Sequence, residues 1–234
     1  VGCNMGCKFC ESGRLKKVRN LTAGEMVEQI LKVEEDINTR ITHVVIMGIG
    51  EPFDNFDNFK RFVEIVNYQK GINIGSRHIT VSTCGIIPKI REFSEFPYQV
   101  NLAISLHAPN NEIRDMLMPI NKAYPLDKLM AEIRHYIKTT NRRVTFEYIL
   151  LSGINDSEEC ANELCDLVRG LNCYINLIPY NETNNLGYKR SKKDTISKFY
   201  DIIKKRKINV TIRREFGSNI SAACGQLRSK KEDL

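Results

Sequence analysis

Residues 43–51 read HVVIMGIGE, a β-branched run that stops at a glycine-flanked turn and an acid. Short runs of Val, Ile, Thr and aromatic residues bounded by turn residues are strand-like. Five further stretches share this character: RHITVSTCG (77–85), QVNLAISLHA (99–108), RRVTFEYILL (142–151), CYINLIPYN (173–181) and INVTIRRE (208–215). Helix-period segments at 22–37, 55–69, 86–96, 125–140, 156–170 and 192–207 alternate with them. Two of these open with capping-box spacing, Thr22 with Glu25 and Asp156 with Glu159. Alternation with crossovers of this length requires parallel strands. The fold class is therefore α/β, either an open doubly wound sheet or a closed or partial barrel.

The unusual residues cluster where the strands stop: Gly50-Glu51, Ser82 to Gly85, Ser105-Leu106-His107 and Tyr180-Asn181. Parallel α/β folds place their chemistry at the C-terminal ends of the strands, so these residues form one candidate rim. Ordinary turn chemistry accounts for Gly and Asn after a strand. It accounts less well for Glu51 and His107.

A chain of 234 residues with no low-complexity tract fits one large domain with its own core. No apolar run approaches the roughly 18 to 20 residues of a membrane span, and no basic-then-apolar leader opens the chain. These features point to the cytoplasm. The formal charge of +7 permits a polyanionic partner. Basic runs lie at Lys16-Lys17-Arg19, Arg142-Arg143, Lys189 to Lys193, Lys204 to Lys207 and Arg213-Arg214, several at strand-to-loop boundaries where a substrate would meet them. The Lys204 to Lys207 run ends a predicted helix, where the helix dipole favours cations.

Cys3, Cys7 and Cys10 form C-x3-C-x2-C, a loop too tight for a disulfide framework. Structural zinc asks for a fourth ligand, and none follows at finger-like spacing. Three thiolates on one loop can instead hold three irons of a [4Fe-4S] cubane and leave the fourth open. Cys84, Cys160, Cys165 and Cys173 read as structural, Cys165 sharing a helical face with Ala161, Leu164 and Val168.

Eight segments in order, GCNMGCKFC, RNLTAGE, MGIGEP, VSTCG, AISLHAPN, MPIN, NLIPYN and AACGQL, run across nearly the whole chain. Together they resemble the catalytic domain of the RlmN family, radical S-adenosylmethionine (radical SAM) enzymes that methylate adenine C2 in ribosomal and transfer RNA. The resemblance implies a partial (β/α)6 TIM-like barrel over residues 1–215, its first strand upstream of this chain, and a tail, 216–234, bearing a methyl-carrier cysteine. It implies a [4Fe-4S] cluster on Cys3, Cys7 and Cys10 whose open iron binds S-adenosylmethionine. Gly50 and Glu51 match the pair that holds the cofactor's amino group. Ser82, Ser105, Leu106 and His107 match positions on its ribose and carboxylate side, and Asn181 matches an adenine-side contact. Cys224, in SAACGQL (221–227), matches the carrier.

Adenine C2 lies between two ring nitrogens and is too electron-poor to attack a methyl sulfonium, so a radical route is required. The resemblance implies that one S-adenosylmethionine methylates the carrier cysteine and a second, cleaved reductively, supplies the radical that activates it. It further implies 23S rRNA and tRNA as substrates, an electron donor such as flavodoxin or ferredoxin, no membrane, and a monomer. The related Cfr proteins, which methylate adenine C8, usually differ after the Gly-Glu pair and after SLH. Pro52 and HAPNNEIRD (107–115) lean toward RlmN. Activase-type radical chemistry and a metal-stabilised RNA-binding module without catalysis are the other readings. The family places an accessory RNA domain, a resolving cysteine and an acidic base upstream. Glu11, Glu182 and Ser221 stand where the family more often has a small residue, Pro and Asp.

Overall fold

The computed structural model describes residues 1–14, 16–183 and 185–214. In chain order the elements are α1 (Glu11–Arg14), α2 (Ala23–Ile37), β1 (Val44–Ile46), α3 (Phe56–Asn67), β2 (Ile79–Thr83), α4 (Ile87–Ser94) and β3 (Asn101–Ser105). They continue as α5 (Asn111–Leu117), α6 (Leu126–Thr140), β4 (Val144–Leu150), α7 (Glu158–Leu167), β5 (Cys173–Pro179), α8 (Lys193–Lys205) and β6 (Val210–Ile212). All six expected strands form, and all five neighbouring pairs are parallel.

The strand order β1-β2-β3-β4-β5-β6 never reverses. A doubly wound sheet needs a reversal to put helices on both faces. Sequential order with crossovers of one hand puts every helix on the same face, which curls the sheet into a partial barrel. The side chains agree. Val144, Phe146, Tyr148 and Leu150 of β4 are fully buried under the helices, and Cys173, Ile175, Leu177 and Pro179 repeat this on β5. The opposite face carries Thr145, Glu147 and Ile149 on β4 and Tyr174, Asn176 and Ile178 on β5. A sheet buried on both sides would be apolar on both; here the inner face places Thr145, Glu147, Tyr174 and Asn176 beside two isoleucines.

The helices are held by amphipathic packing. α3 buries Phe56, Phe59, Phe62, Val63 and Val66 on one stripe. Phe53, Phe59 and Phe93 meet at centroid distances of 5.5–6.2 Å, and Phe93 stacks on Tyr136 at 6.0 Å. The Thr22–Glu25 capping box forms as expected. The Asp156–Glu159 box does not: Ser157 is the N-cap of α7 and accepts from the Cys160 amide at 3.2 Å. Asp156 is used one step earlier, taking the Gly153 amide at 2.9 Å. Helix α5 was not expected. Among the described residues no helix is long and apolar enough to cross a membrane.

Candidate active site

The chain leaves β1 through Gly48, Ile49 and Gly50, all at positive φ (106°, 49° and 123°). This sharp reversal delivers Glu51 to the rim. Its carboxylate accepts from the Phe53 amide at 2.9 Å and from the Cys84 amide at 2.7 Å, tying the loop after β1 to the loop after β2. Burial pushes this carboxyl above the usual range, while the two amides pull it back. Ser82 and Ser105, at the ends of β2 and β3, face each other with hydroxyl oxygens 3.3 Å apart. Their side chains lie on the inner face.

Leu106 and His107 are buried. The Leu106 N–H donates to the Glu147 carbonyl at 3.0 Å. Its own carbonyl accepts from Arg114 Nε at 3.3 Å. His107 has a left-handed backbone, φ 58°. Its Nδ1 accepts from the Ile149 amide at 3.0 Å, and its carbonyl accepts from Asn155 Nδ2 at 2.8 Å. An accepting Nδ1 puts the imidazole proton on Nε2. Burial depresses this histidine to about 3, so it is neutral.

The three-cysteine loop lies across this rim. Gly2, at φ 84°, sits so close to the returning chain that an added Cβ would be 2.2 Å from the Lys16 carbonyl oxygen. A Cβ on Gly50 would come 3.1 Å from the Gly2 oxygen. Lys8 N–H donates to the Leu117 carbonyl at 2.9 Å. The Phe9 ring meets His107 edge-on at 4.8 Å. Met5, Cys7 and Phe9 pack on a small cluster of Cys84, Leu117, Met118, Leu151 and Tyr180. Protein contacts alone therefore seat the loop.

Cys3, Cys7 and Cys10 are half-buried and carry no disulfide. Burial, followed by repulsion from Cys10 and Cys3, pushes the Cys7 thiol up to about 12. Cys3 is raised by burial first, against a backbone hydrogen bond from Met5, and then by Cys10. Together with Cys10, these two thiols, whose ionisation burial and neighbouring thiols oppose, form a donor set that wants a cationic partner. Among the described residues no three His, Cys, Asp or Glu groups are gathered to chelate a single ion. A cubane takes each thiolate on a different iron, so its ligands stand further apart. The residues fit an iron-sulfur cluster better than a mononuclear metal.

Of the residues expected at the site, Gly50, Glu51, Ser82, Ser105 and the cluster loop meet at one rim, with Leu106 and His107 packed beneath it. Asn181 follows β5 and is half-buried next to Tyr180, which touches the loop's apolar seat. Cys224 and the tail 216–234 lie outside the described residues. Glu11 is buried and paired with Arg14 at 3.3 Å. Two groups went unassigned in the sequence. Arg114 is fully buried and donates to the Cys84 carbonyl at 2.8 Å and Asn121 Oδ1 at 2.8 Å. Asn155 ties His107 to the end of β4. Arg114 lies in HAPNNEIRD and its partner Asn121 in MPIN, segments that stood out, whereas no motif marked Asn155 in the turn after β4.

One expectation is corrected. Arg142-Arg143 precede β4, at the end of the barrel opposite the rim and not where a substrate would meet them. Lys204 and Lys205 close α8 as expected, at that same far end. A hollow of about 290 Å³ at that end is lined by Arg169, Arg206 and Lys207, and Asp166 pairs with both arginines.

A Radical SAM superfamily model matches residues 1–164. A protein of Spiroplasma citri named "Probable dual-specificity RNA methyltransferase RlmN" is 60% identical over 237 residues, covering 100% of this chain and 68% of the relative. An Enterococcus faecalis protein of the same name is 57% identical, covering 99% of this chain and 67% of its own length. The chain thus spans about two thirds of these relatives. The crystal structure of a radical SAM methyltransferase from Sphaerobacter thermophilus superposes with a TM-score of 0.94 at 46% identity, over 98% of this chain and 68% of that one. Streptococcus suis SuiB bound to S-adenosylmethionine shares the fold at a TM-score of 0.68 and 16% identity, over 95% of this chain and 53% of that one. A cysteine loop seated on the rim of a sequential parallel barrel, together with relatives this similar along the whole chain, places the protein in the RlmN family of the radical SAM superfamily.

Proposed function

We propose that this chain is the catalytic core of a dual-specificity RNA methyltransferase that methylates adenine C2 in 23S rRNA and tRNA. The observation that carries this reading is the C-x3-C-x2-C loop laid over the rim where Glu51, Ser82 and Ser105 converge. When bound, a [4Fe-4S] cluster with S-adenosylmethionine supplies the one-electron chemistry that an electron-poor ring carbon needs. Cys3, Cys7 and Cys10 would hold that cluster.

The remaining work falls to the chain's own groups. Glu51 offers a carboxylate aligned by two backbone amides, suited to an ammonium. Ser82 and Ser105 offer hydroxyls on the polar inner face, suited to ribose or carboxylate oxygens. Leu106 and His107 act through the backbone they fix, and Asn181 approaches from the loop after β5. Phe9 and the apolar seat under the loop keep water from the cluster side. Cys224 is the methyl carrier, being nucleophilic as a thiolate. Basic residues at the rim receive the RNA, whose target base must leave its stack to reach a recessed site. The enzyme works as a cytoplasmic monomer with a flavodoxin or ferredoxin as reductant.

The test is Cys224→Ala in the reconstituted enzyme. Methyl transfer to RNA is expected to be lost while iron and sulfide content stay at the parent level. Retained transfer would refute the carrier assignment, and methyl found at adenine C8 would refute the regiochemistry.

A further inference from the structure

Arg114 is the largest fully buried side chain among the described residues and the only buried arginine among them. A guanidinium carried into the interior is costly unless its donors are used. Here they are spent on the rim. Nη2 donates to the Cys84 carbonyl after β2 at 2.8 Å and reaches the Ser105 carbonyl at the end of β3 at 3.5 Å. Nε donates to the Leu106 carbonyl at 3.3 Å, and Nη1 to Asn121 Oδ1 at 2.8 Å. Asn121 is itself held by donating to Asn111 Oδ1 and Asp115 Oδ1. One planar fork therefore joins the ends of two strands that carry Ser82 and Ser105.

The same charge lies behind the cluster loop. Cys84, whose carbonyl Arg114 holds, belongs to the apolar cluster on which Cys7 packs. The loop is further anchored to α5, the helix bearing Arg114, through Lys8 N–H and the Leu117 carbonyl. A cluster on three thiolates gains negative charge when reduced, and charge and burial are the levers that set its potential. A fixed cation in a dry setting favours the reduced state.

We infer that Arg114 is a positioning residue of the radical site, fixing the ends of β2 and β3 around the cofactor contacts and raising the reduction potential of the cluster by its charge. This rests on the function proposed above.

Two variants separate geometry from charge. R114K keeps the charge and loses the fork; R114Q loses the charge. Midpoint potentials of the reconstituted whole protein are read by EPR-monitored titration, and S-adenosylmethionine affinity by calorimetry. R114Q is expected to shift the midpoint to lower potential while R114K stays near the parent. Both should bind S-adenosylmethionine about ten- to a hundredfold more weakly, as loss of supporting contacts usually does. An R114Q midpoint equal to the parent's overturns the electrostatic role, and undiminished affinity in both variants overturns the positioning role. Where R114Q holds no cluster, N121L removes one acceptor and spares the charge. It should weaken S-adenosylmethionine binding without moving the midpoint; undiminished affinity, or a midpoint that moves with the charge intact, overturns the inference. A parent protein that takes up no cluster refutes the proposed function itself and this inference with it.

Discussion

His107 shows how a residue at the rim serves through its neighbours. Its imidazole accepts a backbone hydrogen bond and is held neutral, with its titration depressed to about 3. Between about pH 6.5 and pH 3 the unfolded chain binds a proton here that the folded chain refuses, so stability falls as the pH drops through that window. His107→Asn keeps an acceptor for the Ile149 amide and tolerates the left-handed backbone. Denaturation midpoints from pH 7 to pH 4 should show the parent losing up to about 3 kcal/mol more than the variant. Parallel profiles would contradict the assignment. Gly2 makes the complementary case, since a methyl there would overlap the Lys16 carbonyl. Gly2→Ala should lose most of its iron on desalting with all three cysteines intact. The candidates Glu51, Ser82 and Ser105 were legible because they end strands. Arg114 and Asn155 were not, because they bind backbone carbonyls of other loops, at Cys84, Leu106 and His107, which only the folded barrel brings near.

Among the elements, long periodic segments were legible to within a few residues, and capping chemistry explains where the reading slipped. The Thr22–Glu25 box opens α2, and Thr22→Ala should cost about 1 kcal/mol in chemical denaturation. At α7 the acid at 156 and the serine at 157 both suit an N-cap, and spacing alone favoured the wrong one. Asp156 is drawn off by the Gly153 amide, leaving the cap to Ser157. Ser157→Ala should therefore cost about 1 kcal/mol. Helix α5 spans 7 residues, too few for a period to stand out. Its importance comes from what it carries to the rim.

At the scale of the molecule, strand–helix alternation dictates a parallel sheet but leaves doubly wound and barrel forms open; strand order decides between them. The inner faces of β4 and β5, with Thr145, Glu147, Tyr174 and Asn176 beside Ile149 and Ile178, carry that distinction in the sequence, since both faces of a doubly wound sheet are apolar. The barrel also sorts the positive charge by end. Replacing Lys16, Lys192 and Arg214 by Ala should weaken RNA binding and flatten its dependence on salt. Replacing Arg143, Lys204 and Lys205, at the far end, should leave both unchanged; equal losses would mean that RNA binding is not confined to the rim. The central claim is that the opening cysteine loop and the rim together form a radical-generating cofactor site. It is tested most directly by anaerobic reconstitution with iron and sulfide, followed by EPR of the reduced protein with and without S-adenosylmethionine. A [4Fe-4S] signal that changes on adding S-adenosylmethionine is the expected result. Zinc in place of iron, or a cluster signal indifferent to S-adenosylmethionine in the folded protein, would contradict it.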